Sequence, residues 1–227
     1  FLLLNENFLI STISSILFVV KLCIFVKKHI IMKKILNLLF ICAISLSLTA
    51  NMHTNDVKVN NAKSKIQWTG SKIIGSSHTG TIKIKSGMLT FDHGKLVGGE
   101  FTIDMNTIEC TDIESPKKRG YLVDHLKNED FFNVEKYTTA KLVILKVKMM
   151  PDNLYRMTAN LTIKDITHQI IFTSNLTTEG KHFEASANIK IDRTKWDVVY
   201  KSGSIFKELG DKAINDEIIF DVTLSSN

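Results

Sequence analysis

The chain has 227 residues, a formal net charge of +6 and three cysteines. Its first 50 residues hold five lysines and one glutamate, so the remaining residues carry only about two of the six positive charges. Because nucleic acid binding depends on concentrated positive charge, this balance argues against that class of function. Residues 51–227 are numerous enough to form one domain with its own core.

The first 50 residues predict a targeting segment. Residue 1 is Phe, whereas Met32-Lys33-Lys34 followed by the apolar run Ile35–Leu48 has the basic and apolar regions of a secretory signal peptide. We therefore expect a protein that is periplasmic or secreted. The predicted organisation is an upstream extension at 1–31, a signal peptide at 32–50 and the exported domain at 51–227.

Two other interpretations of the first 50 residues, a lipoprotein signal and a membrane span, are less favoured. Cys42 would be the attachment site of a lipoprotein, but Phe40 and Ile41 are larger than the residues that usually precede such a cysteine. Residues 8–26 are also apolar, but Lys21 interrupts them, and a membrane span is less favoured than an upstream extension. We expect no stable membrane span in the mature form.

Cys110 is the one cysteine that follows residue 50. A single cysteine cannot form an internal disulfide, so the stability of an exported domain must come from packing. A reactive thiol would need a partner such as a nearby histidine, and no such spacing accompanies Cys110. The sequence favours a buried or edge-strand cysteine.

Most of the chain after residue 55 alternates apolar and polar residues, which is the period of a half-buried strand. The clearest case runs from Phe183 to Asp192, where every second residue is apolar. Gly87 and the residues at 92–94, 151–153 and 179–181 predict turns. Strands are predicted at 56–61, 65–74, 80–85, 88–91, 96–104, 140–149, 155–164, 170–176, 183–192 and 218–224.

About eight strands with one apolar face each, and no second helical layer, predict an all-β antiparallel eight-stranded barrel. One short helix or lid is predicted near 116–132, with Leu122, Val123 and Leu126 on one face and the pair Phe131-Phe132 after it. The inward positions of the barrel include three small residues, which leave internal volume unless the interior simply tapers. These are Ala159, Ala185 and Ala187.

Four segments resemble motifs of the YceI-like family. Residues 125–137 (HLKNEDFFNVEKY), 160–170 (NLTIKDITHQI) and 191–196 (IDRTKW) are similar to its internal blocks, and 80–91 (GTIKIKSGMLTF) to its early strand region. The resemblance covers roughly 57–225. It implies an exported lipocalin-like barrel that binds polyisoprenoids and related lipids. The chain departs from the family pattern mainly in the lid, where Asn133 replaces an acid and Thr138 a proline, and also at Asp165, where glycine is common.

Phosphate-binding loops, nucleophile elbows and paired zinc-binding histidines are absent from the sequence, so we predict neither catalytic residues nor a metal or cofactor. His125 is expected to be a hydrogen-bonding residue at the end of the helix. Asp192 and Arg193 are expected to form a structural ion pair near one end of the barrel, with the alternative that Arg193 contacts a lipid head group.

The expected ligand is a long isoprenoid or fatty-acyl lipid. Burying one methylene contributes about 0.8 kcal/mol, so a ten-carbon tail gains roughly 8 kcal/mol against an association cost of about 4–15 kcal/mol. Tight binding by apolar burial therefore requires on the order of 20 carbons. The predicted lipid contacts are Trp68, Phe101, Ile103, Phe131, Phe132, Leu161, Phe172, Phe183 and Phe220.

Two alternatives to a lipid carrier remain open at this point. A small hydrolase or isomerase acting on a lipid in the same barrel would need polar residues that converge inside it, such as a histidine and an acid. A stress-related structural or interaction protein would have a filled barrel and a large exposed apolar patch. A homodimer is compatible with an antiparallel barrel, although no stretch of the sequence predicts it.

Overall fold

Nine β-strands and one α-helix make up the part of the chain that the computed structural model describes, which is residues 54–180 and 182–227. The predicted upstream extension and signal peptide, including Cys42, lie outside the described residues. The strands are β1 (Thr54–Lys58), β2 (Lys65–Lys72), β3 (Ser77–Asp92), β4 (Lys95–Cys110), β5 (Thr139–Met149), β6 (Leu154–Ile163), β7 (Ile166–Glu179), β8 (His182–Asp192) and β9 (Ile214–Ser225), and the helix is α1 (Pro116–Lys127).

The sheet closes on itself as the alternating pattern predicts. Each of β3 to β8 pairs antiparallel with the next strand in the chain, and β2 joins β9 to β3. β1 and β2 lie one after the other along the same edge of β3, so the two short strands together fill one position of an eight-stranded barrel. Closure removes the exposed sheet edges that would otherwise invite pairing with other chains.

The prediction of a turn at Gly87 is wrong, because β3 continues through it from Ser77 to Asp92. The register between β3 and β4 shifts between Ile84 and Ser86, so the irregularity in the sequence is a bulge and not the end of a strand. Gly87 pairs with Phe101, and a Cβ at Gly87 would come within 2.6 Å of the Phe101 ring. Glycine is required there because the ring lies against the backbone.

The two ends of the barrel differ. At one end, which we call the hairpin end, tight turns join β3 to β4, β5 to β6 and β7 to β8. His93 and Gly94 both have positive φ, as a two-residue hairpin turn of type I′ requires. At the other end, the helix end, a tight turn joins β6 to β7, but two connections are long, namely the segment with α1 and the β8–β9 loop at 193–213. The larger openings of the barrel are therefore confined to the helix end.

The barrel interior follows the strand period, since β8 alternates buried or half-buried with exposed residues along its length. The hairpin end is packed solid by large side chains, and the rings of Phe91 and Phe183 lie 6.2 Å apart there. In the middle of β8 the inward residues Ala187 and Ile189 are only half-buried, and both line internal space that Phe91 and Phe183 do not reach. The packed core therefore occupies one end of the barrel and leaves the other less filled.

Helix α1 begins and ends with ordinary capping. The Ser115 side chain accepts a hydrogen bond from the backbone N–H of Lys118, and Pro116 occupies the first turn. Asn128 ends the helix, and no residue within α1 is fully buried. In the part of the chain that the structure describes, no helix has both the length and the apolar character needed to cross a bilayer.

Candidate binding cavity

A cavity of about 400 Å³ lies inside the barrel. Its wall is formed by inward side chains of the barrel strands and by the segment that follows β4, and it is almost wholly apolar. At the helix end the lining reaches exposed residues of the β2–β3 hairpin, namely Lys72 and Ser76. The interior is therefore not packed solid. A barrel filled by its own side chains would have no such cavity.

Most of the side chains predicted from the sequence to contact a lipid lie in the wall of this cavity. Trp68, Phe101, Ile103, Phe131, Phe132, Leu161, Phe172 and Phe220 all line the cavity, as does Arg193. Phe183 does not line it, because it lies at the hairpin end, 2 % exposed, with its ring against Phe91. It belongs to the packed core, and we exclude it from the candidate site.

Trp68 forms the wall beside the β2–β3 hairpin by a close approach to glycine. It pairs directly with Gly80, and its indole N–H donates to the Glu109 carbonyl at 3.1 Å. A Cβ at Gly80 would lie 2.4 Å from the Trp68 ring and still closer to that carbonyl. Only glycine leaves space for an aromatic side chain at this position.

Sequence reasoning missed part of the lining. Ala140, Leu142, Ile144, Met157, Ile170, Ile189 and Ile218 also face the cavity. Their inward direction was readable from the period of two, but aliphatic residues with that period are common throughout the barrel. The period reports which face a residue occupies and not its height along the barrel axis.

A lid formed by α1 and the turns after it closes part of the helix end. Leu122 and Leu126 of α1 line the cavity together with Phe131 and Phe132, so the predicted lid contributes to the wall. Lys127 fixes α1 to β4 by donating to the Asn106 carbonyl at 2.7 Å.

His125 does not have the predicted hydrogen-bonding role. Its ring packs edge-on against Phe131 at 5.0 Å and against Tyr200 of the β8–β9 loop at 4.7 Å. Its Nε2 atom has no hydrogen-bond partner, since the nearest carboxylate oxygen, on Asp130, is 3.6 Å away. His125, Phe131 and Tyr200 therefore form an aromatic cluster that joins the lid to the β8–β9 loop.

Arg193 is a buried structural residue with a face on the cavity. It is 1 % exposed, and its guanidinium donates to the carbonyls of Asn215, Val198 and Ile214 and to the Asp216 carboxylate. These bonds occupy four of its five donors. Burial lowers the pKa of Arg193, and the nearby carboxylates of Asp216 and Asp192 act in the opposite direction.

The predicted ion pair between Asp192 and Arg193 is wrong, because the partner of Arg193 is Asp216 at 3.3 Å. Asp192 instead accepts from the backbone N–H and the hydroxyl of Thr194, which caps a short 3-10 turn at Arg193–Trp196. That turn buries Trp196, whose indole N–H donates to the Leu161 carbonyl. The 191–196 motif therefore folds the β8–β9 loop against the barrel.

A polar cluster at the cavity mouth contains a histidine and an acid within hydrogen-bond reach. Asp112 contacts His78 at 2.9 Å and accepts from the Cys110 thiol and the Thr79 N–H. Partial burial raises the pKa of Asp112, but the bonds from Cys110, His78 and Thr79 outweigh it and lower the pKa to about 2. Burial, with the hydrogen bond to Asp112, raises the pKa of the Cys110 thiol.

These contacts of Asp112 join β3 to the segment after β4, which is a structural role. A nucleophilic thiol needs a histidine that takes its proton, whereas here the Asp112 carboxylate stands between Cys110 and His78. The raised pKa keeps the thiol protonated. Among the described residues, no three His, Cys, Asp or Glu side chains converge to hold a metal ion.

An antiparallel eight-stranded barrel with a short helical lid and an apolar internal cavity defines a lipocalin-like class of protein. Comparison with known families is more specific. The YceI-like domain matches residues 57–225, which is most of the chain, and the chain belongs to that family.

Relatives and solved structures agree with this assignment. A UPF0312 protein of Photorhabdus laumondii is 32 % identical over 122 residues, which is 49 % of this chain and 59 % of the relative. A UPF0312 protein of Pseudomonas putida is 27 % identical over 116 residues, 51 % of this chain and 58 % of the relative. The chain thus spans less than two thirds of the length of these curated relatives.

Two crystal structures share the fold at low sequence identity. Burkholderia cenocepacia BcnA has a TM-score of 0.61 at 20 % identity, covering 74 % of this chain and 99 % of its own. A polyisoprenoid binding domain from Saccharophagus degradans, implicated in plant cell wall breakdown, has a TM-score of 0.54 at 12 % identity, covering 74 % of this chain and 95 % of its own.

Proposed function

We propose that this protein binds a long isoprenoid or acyl-chain amphiphile in the barrel cavity and carries or sequesters it. The observation that carries the proposal is a cavity of about 400 Å³ inside the barrel with an almost wholly apolar wall. Apolar space of this kind favours a hydrocarbon chain over a sugar or nucleotide, because polar ligands would lose hydrogen bonds to water without replacing them. One protein of similar fold, from Saccharophagus degradans, is a polyisoprenoid binding domain, which supports a ligand of this class.

The size of the cavity sets how much of the ligand it encloses. At about 30 Å³ for each water-sized group, the cavity holds roughly a dozen methylene-sized groups. Their burial contributes on the order of 10 kcal/mol gross, which is comparable with an association cost of about 4–15 kcal/mol. A ligand of about 20 carbons would extend beyond the cavity and be covered by the lid residues.

The polar end of the ligand would lie at the helix end, where the lining first includes polar side chains such as Lys72, Ser76 and His78. Arg193 has at most one N–H donor left for it, because protein acceptors occupy the other four. We therefore propose that Arg193 donates a single hydrogen bond to a head group and does not bind it in a bidentate manner.

We further propose that the barrel works after export, in the periplasm or outside the cell. The support is the basic and apolar pattern at 32–50. N-terminal sequencing of the protein recovered from the producing bacterium would locate the mature start. A mature protein that keeps Met32 would contradict this part of the proposal.

Cavity filling tests the binding proposal. Ala187 lines the cavity on β8, so Ala187→Phe would place a ring in the space meant for the ligand. Native mass spectrometry of the detergent-free full chain should show a copurifying apolar ligand in the wild type and at least tenfold less in the variant. Circular dichroism and thermal unfolding would confirm that the variant keeps its barrel.

The matched control is Glu184→Phe, which adds the same ring to the exposed face of the same strand. It should retain the ligand of the wild type. A wild-type protein that is ligand-free in every preparation, or an Ala187→Phe protein that folds and retains the same ligand, would exclude the proposed function.

A further inference from the structure

The helix end carries exposed apolar side chains that no internal packing explains. In the part of the chain that the structure describes, ten large apolar residues are exposed. Five of them lie in three separate segments of the helix end, whereas Met149 lies at the hairpin end and the other four lie on the outer wall. These five residues, which we call the apolar rim, are Ile73, Ile74, Tyr121, Ile205 and Phe206.

Two parts of the apolar rim, the hairpin tip and Tyr121, adjoin residues that line the cavity. Ile73 and Ile74 form the tip of the β2–β3 hairpin, between Lys72 and Ser76, which both line the cavity. Tyr121 directly precedes Leu122, which lines the cavity from the lid.

The hairpin tip is tied to the loop that carries the rest of the rim. The Ile73 N–H donates to the Ala213 carbonyl at 3.0 Å. A Cβ at Gly203 would meet the Ile73 side chain at 2.6 Å, so that side chain rests on the loop of Ile205 and Phe206. The hairpin tip and the β8–β9 loop, which carry four of the five rim residues, are thus connected to each other.

Positive charge accompanies the apolar rim. The hairpin tip (72–76), the first half of the lid helix (116–123) and the β8–β9 loop from 201 to 213 together contain seven basic and two acidic residues. Glu129, Asp130 and Asp197 line a shallow pocket together with Phe206, so acidic residues lie beside the β8–β9 loop part of the rim. The charge therefore favours an anionic partner on the side of the hairpin tip and the start of α1.

The charges at the start of α1 are not explained by helix stability. Lys117, Lys118 and Arg119 stand in its first turns, where the helix dipole disfavours cations, and the first turn contains no acidic residue. Lys117 lies over the Tyr121 ring at 5.9 Å, which places an ammonium group beside an exposed aromatic. Exposed aromatic and aliphatic residues with flanking lysines are typical of surfaces that enter the interface of a bilayer.

We propose that the apolar rim and its basic residues form a docking surface for an anionic lipid bilayer, with the cavity mouth facing the membrane. Docking in this orientation lets an apolar ligand pass between bilayer and cavity without crossing water. The role of this docking surface in ligand transfer rests on the proposed lipid-binding function. Insertion of the surface into a bilayer is measurable whether or not the cavity is occupied.

Tryptophan placed in the rim tests the proposal directly. The native Trp68 and Trp196 are buried, so Ile74→Trp and Met149→Trp would report from the two ends of the barrel, at positions of equal exposure (63 % and 62 %). Full-length variants with identical residues 1–53 would be mixed with phosphatidylglycerol vesicles carrying brominated acyl chains. Trp68 lines the cavity, so the quenching measured for the wild type is subtracted as the contribution of acyl chains that enter it. After this subtraction, Ile74→Trp should shift to the blue and be quenched, and Met149→Trp should not.

The contribution of charge is tested in the Ile74→Trp background. Lys72→Gln/Lys117→Gln/Lys118→Gln should weaken apparent binding to the anionic vesicles by about a hundredfold. The matched control Lys95→Gln/Lys146→Gln/Lys148→Gln removes the same charge from exposed positions outside the helix end and should change it less than threefold. Both proteins should bind phosphatidylcholine vesicles weakly.

Equal quenching of the two tryptophan reporters, or quenching of neither, would overturn the proposed docking surface. Insertion that does not depend on lipid charge would overturn it as well. A protein partner as the true occupant of the rim would give the outcome without quenching. These results are separate from the ligand detected by native mass spectrometry, so docking and ligand binding can fail independently.

Discussion

At the scale of single residues, charged side chains of the barrel join segments that are distant in sequence through hydrogen bonds and ion pairs. Arg193 joins the start of the β8–β9 loop to β9 through Asp216, and both ends of that loop meet its guanidinium. Removing one partner of such a buried pair costs about 3–5 kcal/mol, because the other charge is left unpaired. Asp112 has the same role at the surface, between His78 and Cys110.

The lowered pKa of Asp112 predicts how stability depends on pH. Its folded pKa of about 2 lies below the ordinary value of 3.8, so its stabilising effect is complete above about pH 4 and is lost as the pH falls toward 2. Allowing for screening of a partly exposed carboxylate, the effect is about 1–2 kcal/mol. Asp112→Asn should therefore flatten the acid limb of stability in urea unfolding between pH 2 and pH 5.

Asp152→Asn, in a turn at the hairpin end, makes the same charge change and should leave the acid limb of the wild type intact. Identical pH profiles for Asp112→Asn and the wild type would show that the hydrogen bonds to Asp112 do not stabilise the fold.

At the scale of elements, the helix of the lid has little stability of its own. Helix α1 has no fully buried residue, contains Gly120 and carries cations in its first turns. A helix-interior glycine costs about 1 kcal/mol relative to alanine, and the cations add to that cost. The lid is therefore held mainly by the aromatic cluster of His125, Phe131 and Tyr200. An element of low local stability is what a cavity entrance requires, because it opens without unfolding the barrel.

Tyr200→Ala should loosen the lid by removing two aromatic contacts of the cluster, with His125 and Phe131. Each aromatic pair contributes about 0.5–1.5 kcal/mol, so opening of the lid should become roughly tenfold more frequent. Hydrogen exchange of the α1 amides, followed by mass spectrometry, measures this change, and strand amides should be unaffected.

Tyr200→Phe keeps the ring and serves as the control, with exchange close to that of the wild type. Unchanged exchange in Tyr200→Ala would mean that the Lys127–Asn106 bond and other contacts hold the lid without the aromatic cluster.

At the scale of the whole molecule, one closed sheet combines a packed end with a hollow end. Closure satisfies the backbone hydrogen bonds of every barrel strand, so the molecule keeps its shape without filling its interior. The hairpin end supplies a core around Phe91 and Phe183. An apolar cavity in the remaining part forgoes packing energy that a ligand restores.

Ligand binding should therefore raise the unfolding temperature. A 20-carbon isoprenoid alcohol added to delipidated protein at about 100 times its dissociation constant would stabilise the fold by about 2.7 kcal/mol, or roughly 5–10 °C in Tm. Differential scanning calorimetry measures the shift. A ten-carbon alcohol at the same concentration should shift Tm much less, and Ala187→Phe should abolish the shift. An unchanged Tm with the long alcohol at saturation would contradict a carrier for this class of lipid.

The sequence by itself determined most of the strands, the closed barrel, the place of the lid and most of the aromatic side chains of the cavity wall. These features depend on local patterns, since a period of two shows which face of a strand is apolar, and apolar faces on every strand must close around a common interior.

Only the tertiary structure decided how deep each inward residue lies and what it contacts. Phe172 and Phe183 have the same inward period, yet one lines the cavity and the other packs the hairpin end, because strand register and tilt set their heights. Arg193 pairs with Asp216, far along the chain, and not with its neighbour Asp192. The exposed rim likewise exists only once three separate loops meet at one end of the barrel. Such contacts join residues distant in sequence, and no local pattern encodes them.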